Sequence, residues 1–278
     1  MTPPRLKIRR TPDLLAAVPY LLGFHPADSV VVVALRLRSL QFALRFDLDG
    51  ADPAAVAQLI AQHAPERVLI IGYGTAPRVT AVLPALAAAL RLAGVTVLDE
   101  VRVTDGRYWS LSGADAEPCH LDSSVVAAAA TFQGLPALPD RAALVAQLAP
   151  VTGEERAAVT AATAEVEERL ARWTPEETVV RAGLAVVRAA RSGVPLAAAD
   201  VALLGVLLQL EPFCDFVWDF TEATVADQTL WMDVVRRVEP SFVPAPAALL
   251  AFVAWRMGLG PLAGIAVERA LAVEPDYG

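Results

Sequence analysis

Cysteine is scarce. The 278 residues hold two, Cys119 and Cys214, with no C-x-x-C spacing. A disulfide framework is excluded, and a reducing cytoplasm fits. Histidine numbers three. A zinc site wants three or four protein ligands. Cys119 and His120 would supply two, His25 and His63 complete the histidines, and Cys214 lies far along the chain, so no metal site is expected. Positive charge is also short. The formal net charge of −8 leaves no overall electrostatic footprint for nucleic acid, and no nucleic-acid partner is expected. Arg5, Lys7, Arg9 and Arg10 form a short basic arm, read as a solvated N-terminus rather than a polyanion contact. The longest uncharged runs, Ser123 to Pro139 and Pro240 to Trp255, fall short of the roughly 20 apolar residues that span a bilayer, so no membrane partner is expected. Asp13 interrupts any signal-peptide core. No linker rich in Gly or Ser separates the halves of the chain.

What is present is apolar: 55% of the residues are hydrophobic, much of that Ala, Val and Leu. A chain of this length buries roughly three quarters of its unfolded surface and needs no staples. Pro12-Asp13 opens a helix, with Thr11 as its N-cap. Pro19 should bend or end that helix, and Gly23 caps it. Val30 to Leu35 reads as a strand apolar on both faces, hence central. Leu40 to Leu48 alternates and reads as its hairpin partner. A helix after Asp52-Pro53, a strand at Val68–Ile71, a helix over Val79–Leu90 and a strand at Val95–Leu98 follow. Asp105-Gly106 is the strongest hairpin signal, between Val101–Val103 and Tyr108–Leu111.

This alternation implies a mixed, largely parallel sheet with right-handed crossover helices. Beyond Ser124 no strand is expected. Helices are read at 124–133, 140–148, 153–171, 175–191, 196–210, 225–238, 246–257 and 261–273. The expectation is a mixed α/β domain over 1–150 and an all-helical domain over 151–278 packed against it. Ala251, Ala263, Ala270 and Pro275 sit at the spacings of a tetratricopeptide-type helical hairpin, though a single such hairpin reads rather as a close-packed helix pair that finishes the domain. A chain so apolar, ending in a small-residue helix pair, also raises the expectation of a homodimer.

Three stretches carry candidate chemistry. His25, Asp28 and Ser29 offer a base, a carboxylate and a hydroxyl within five residues. In a hydrolase- or transferase-type enzyme His25 would act as general base and Ser29 would present its hydroxyl. Adjacency is not a triad, however, and Gly23, Pro26, Asp28 and Ser29 also suit a turn that satisfies free backbone groups. Gly72-Tyr73-Gly74-Thr75-Ala76-Pro77 lies between a strand and a helix, where α/β sheets place ligands. Gly72, Gly74 and Thr75 would be the cofactor-binding residues, with Asp99 as ribose acid, but Pro77 replaces the third glycine of a nucleotide loop. Tyr108 and Trp109 could wall a ligand or pack on the core. Phe213, Phe216, Trp218, Phe220 and Trp231 read as core of the helical half, or as a partner surface if several are exposed.

Pro12-Asp13-Leu14-Leu15 and Pro19-Tyr20-Leu21-Leu22-Gly23-Phe24-His25-Pro26 with Ser29 resemble the opening of an uncharacterised actinobacterial family, domain of unknown function 4192. Asp105-Gly106-Arg107-Tyr108-Trp109-Ser110-Leu111 resembles it too. So does Leu230-Trp231 with Asp233-Val234-Val235-Arg236-Arg237, leading to Ala245–Trp255. The loop after Leu111 departs from it: Pro118-Cys119-His120 stands where relatives often have a Cys-Cys-Pro-Pro-like segment. The resemblance implies an actinobacterial, cytoplasmic origin and no particular activity. Taken together, the residues favour a cytoplasmic module that binds a small molecule or a protein partner, with a pocket between the strand ends and the loops at His25 and Gly72 to Pro77.

Overall fold

The computed structural model describes residues 10–277, except 38, 51, 114–116, 119–123, 133–136 and 172–175. The chain divides into two compact units, Met1–Ala143 and Leu144–Gly278.

In the first unit, α1 (Thr11–Leu22) begins after Arg10, whose N–H donates to the Asp13 carboxylate at 3.1 Å, and ends at Gly23. Pro19 lies inside α1 without ending it. It removes one backbone bond, the one to Leu15, while buried Leu15, Val18 and Leu22 hold the helix on both sides of it. The strands are β1 (Ser29–Arg36), β2 (Ser39–Asp47), β3 (Arg67–Tyr73), β4 (Thr96–Thr104), β5 (Arg107–Ser110) and β6 (Glu117–Pro118). Between them run α2 (Pro53–Gln62) and α3 (Ala76–Leu92), followed by α4 (Val125–Phe132). The six strands form one sheet in the order β2-β1-β3-β4-β5-β6. As its uniform valines require, β1 is interior, and Val30 to Ala34 are fully buried.

The sheet is not largely parallel. Its β1 runs antiparallel to both β2 and β3, β4 is antiparallel to β5, and β5 to β6, leaving β3–β4 as the parallel neighbouring pair. The reason is a skipped strand. Both β2–α2–β3 and β3–α3–β4 are crossovers between parallel strands, but β1 lies between β2 and β3. A strand–helix–strand pattern gives the direction of the two strands, not their adjacency. The two strands expected around Leu98 are one, β4, whose pairing with β3 slips at Leu98.

One face of the sheet is covered by α2 and α3, through Val30, Val32, Ile70, Ala57, Ile60, Val79, Leu83 and Leu86. Gly72 belongs to this face. A Cβ there would lie 2.5 Å from Val79 Cγ1 and 2.9 Å from Leu83 Cδ1, so a glycine is needed for α3 to lie so close. Residues Val31, Val33 and Ile71 of the other face are fully buried as well. The helix α1 packs on α4 through Ala16, Ala17, Leu21 and Val126, and Phe24 pairs in parallel with Leu138.

The division between the units falls within α5 (Arg141–Ala146). The second unit contains α6 (Gly153–Ala171), α7 (Glu176–Arg191), α8 (Ala198–Leu207), α9 (Glu211–Phe220), α10 (Val225–Arg237), α11 (Pro244–Arg256) and α12 (Gly260–Leu271). Its core is built on Trp231, Phe213, Leu204, Val234, Leu250 and Val253. The helix α9 falls between the expected helices 196–210 and 225–238; Pro212 stands in its first turn, where a proline costs no hydrogen bond. The hairpin of α11 and α12 buries Ala251, Ala263 and Ala270. Among the described residues no single helix is long and apolar enough to cross a membrane.

Candidate functional site

At the carboxyl end of β3 the sheet gathers three segments. Ser29, which opens β1, stands opposite Tyr73, and Tyr73 stands opposite Val103 of β4. The turn before β1, the loop after β2 and the β3–α3 junction therefore meet. Asp28 takes a left-handed conformation, with φ at 43°. Its carbonyl accepts from Leu48 N–H at 3.1 Å, and its carboxylate accepts from Arg78. Arg78 also donates to the Asp49 carboxylate at 2.8 Å. One guanidinium thus clasps all three segments. Arg78 stands in the first turn of α3, which lacks a side-chain cap at Thr75, so the two carboxylates bring negative charge to a helix end that favours it. The side chains of Asp28, Asp49 and Arg78 are 64%, 85% and 39% exposed, so each pair is worth at most about 1 kcal/mol.

The clasp brings Asp28 to Gly74: a Cβ on Gly74 would sit 3.6 Å from its carboxylate. Ser29 goes elsewhere. Strand alternation turns it to the face opposite Val30, away from α2 and α3. It is completely buried, and its hydroxyl has no hydrogen-bond partner among the described residues. His25 is half-buried, with its backbone N–H donating to the Leu138 carbonyl at 2.9 Å. Of the proposed cofactor residues, Gly72 is inside β3, Gly74 forms the turn and Thr75 precedes α3. The Asp99 carboxylate accepts from Ser110 Oγ at 2.7 Å and from Glu100 N–H at 2.8 Å, so it serves the β4–β5 pair. Cys119 and His120 lie outside the described residues. Among the described residues no cluster of three or more His, Cys, Asp or Glu could hold a metal. Tyr108 is buried and donates to Glu117 at 2.5 Å, while Trp109 lies under the Arg102 guanidinium, 3.9 Å from its ring centre.

The aromatic stretch of α9 is not uniformly core. Phe213 and Val217, one turn apart, face inward, and Phe216 and Phe220, three positions after each of them, are exposed. Half-buried Trp218 meets Phe252 edge to face, with ring centres 5.0 Å apart.

The helical unit holds a cleft of about 560 Å3 that the sequence did not announce. Its walls come from the end of α5 through the start of α6, the end of α10 with the segment after it, and α12. Val145, Val151, Val235, Val243 and Ile265 make it apolar, and Arg156, Arg236, Arg269 and Glu268 are the charged lining. Backbone pairing closes one side, with Val151 N–H donating to the Arg236 carbonyl at 2.9 Å. Arg156 is satisfied: it donates to the Val238 carbonyl at 2.7 Å and to the Glu239 carboxylate at 2.5 Å. Arg236 donates through Nε to the Ala149 carbonyl at 3.3 Å, and Arg269 donates to the Leu148 carbonyl. The partners of these two arginines among the described residues are backbone carbonyls rather than carboxylates. Burial lowers the pKa of Arg269 below its ordinary value, because the charged form has lost part of its hydration. Three arginines at positions 156, 236 and 269 carry no shared spacing, so no motif could have joined them.

The architecture is thus a mixed α/β unit with an ion-pair clasp at its strand ends and an all-helical unit with an arginine-lined cleft. The chain belongs to the family described as domain of unknown function (DUF4192), whose model matches residues 12–278. No curated protein and no solved structure matches it.

Proposed function

We propose that this chain is a cytoplasmic small-molecule-binding protein whose ligand occupies the cleft of the helical unit. The carrying observation is the cleft itself: about 560 Å3, apolar walls and two arginines with donors to spare. That volume is within the roughly 300–1,000 Å3 typical of small-molecule sites, which combine apolar walls with a few convergent polar groups. Two cysteines without C-x-x-C spacing suit a reducing cytoplasm. The strand ends support binding less well, because Arg78 already holds the protein's own carboxylates there. The enzyme reading around His25, Asp28 and Ser29 draws little support from a fully buried serine and a carboxylate engaged by arginine.

A thermal-shift screen of metabolites against the native chain and Ala272→Trp tests this reading. Ala272 lines the cleft and is exposed, so the indole fills the mouth without entering the core. A bound metabolite raises the native Tm and leaves Ala272→Trp unshifted. Equal shifts in both proteins, or none in either, would overturn the proposal.

A further inference from the structure

We infer that the ligand of the helical cleft is an amphipathic anion: a carboxylate or phosphate head held by Arg236 and Arg269 on an aliphatic body seated among the valines. This rests on the binding reading above and adds the chemistry of the occupant. A guanidinium has five N–H donors in a fixed fork. Arg236 and Arg269 each spend donors on one backbone carbonyl, and neither meets a carboxylate among the described residues. Three guanidiniums and one carboxylate line the cleft, and Arg156 is matched by Glu239. The surplus is positive, in a chain whose net charge is −8. Half-buried Arg269 has lost part of its hydration and gains most from an oxyanion, which a guanidinium binds through paired, charge-assisted hydrogen bonds, and exposed Arg236 adds a second fork at the mouth. The wall residues Val145, Val151, Val243 and Ile265 offer such an anion no polar partner, so whatever extends from the head is apolar. The carbonyls of Leu148 and Ala149 hold the two guanidiniums in place without neutralising them.

The test is calorimetric titration of the full chain with decanoate, decyl phosphate, 1-decanol and inorganic phosphate. Decanoate or decyl phosphate binds, and the stronger of the two identifies the head. Both 1-decanol and inorganic phosphate bind about tenfold more weakly or worse, as expected for loss of a charge-assisted pair or of the apolar body. Arg236→Gln with Arg269→Gln weakens the anion about tenfold or more and leaves 1-decanol unchanged. Should that pair of changes impair folding, Ala272→Glu places a carboxylate at the exposed mouth and has the same expected effect. Equal binding of decanoate and 1-decanol, or an anion indifferent to Ala272→Glu, overturns the anion assignment but leaves a binding cleft. Inorganic phosphate binding as tightly as the amphiphiles overturns the apolar body. If no probe binds, the binding reading itself falls with it.

Discussion

Ser29 and Asp28 are neighbours in sequence and part company in space. The last turn residue before a strand is free to swing, and Asp28 uses a left-handed backbone to reach Arg78. The first strand residue is not free, and alternation sends Ser29 to a covered face. A reading by proximity in sequence grouped them with His25 because it had no means of assigning faces. Arg78, which organises the site, carried no signal of its own: an arginine early in a helix is unremarkable until two aspartates from other segments converge on it. A different pair of residues governs behaviour in alkali. Burial pushes the Cys214 thiol up, a hydrogen bond with Trp218 opposes this, and Asp215 adds to the rise. Burial also raises Tyr277, with Cys214 and Glu274 adding to the effect. Both groups are neutral when protonated, so the folded chain holds their protons more tightly than the unfolded chain does. Their contribution to stability is complete below about pH 8.5, the ordinary thiol value, and is lost as pH rises through the raised folded values. Urea melts from pH 8 to pH 11 should show falling stability, with a shallower fall in Cys214→Ser, Tyr277→Phe.

At the scale of elements, helices bracketed by prolines and rich in Ala, Glu and Arg were legible: α6 was read with its observed bounds, and α7 within a residue of them. Prolines were harder to place, because a proline's effect depends on which backbone bond it removes: Pro212 stands in the first turn of α9, and Pro19 rides within α1 without ending it. The glycines of the β3–α3 junction left two readings open for a related reason. A phosphate loop and a close strand–helix approach both require a missing Cβ, and the sequence cannot say which. For Gly72 the observed neighbour is Val79 Cγ1, so Gly72→Ala forces α3 away from the sheet. Destabilisation of about 1–3 kcal/mol is expected from such overpacking, measured by urea denaturation. An unchanged midpoint would mean that α3 shifts at no cost.

At the scale of the molecule, the division into an α/β part and a helical part was visible in where strand-like runs cease. The cleft was not. Its walls bring together residues from the stretch 145–156 with residues beyond position 234, and single-chain periodicity carries no information across such distances. All of its lining falls within one unit, which has its own core. A fragment starting at residue 140, just ahead of α5, should therefore fold and retain the decanoate affinity of the full chain by calorimetry. Loss of binding in a fragment with native helical content would show that the first unit contributes to the site.

The valines of β1 have one further consequence. A strand buried on both faces reads the same when slid by one residue, since Val30 to Val33 would exchange faces without exposing anything polar. The interior of β1 therefore cannot choose its own alignment. That choice falls to its two ends: the tight reversal into β2, and the grip of Arg78 on Asp28. A contact worth little to the folded state by its exposure can thus matter greatly to which folded state is reached. Weakening it would show first as slow, heterogeneous refolding and strand-mediated aggregation rather than as a lowered Tm.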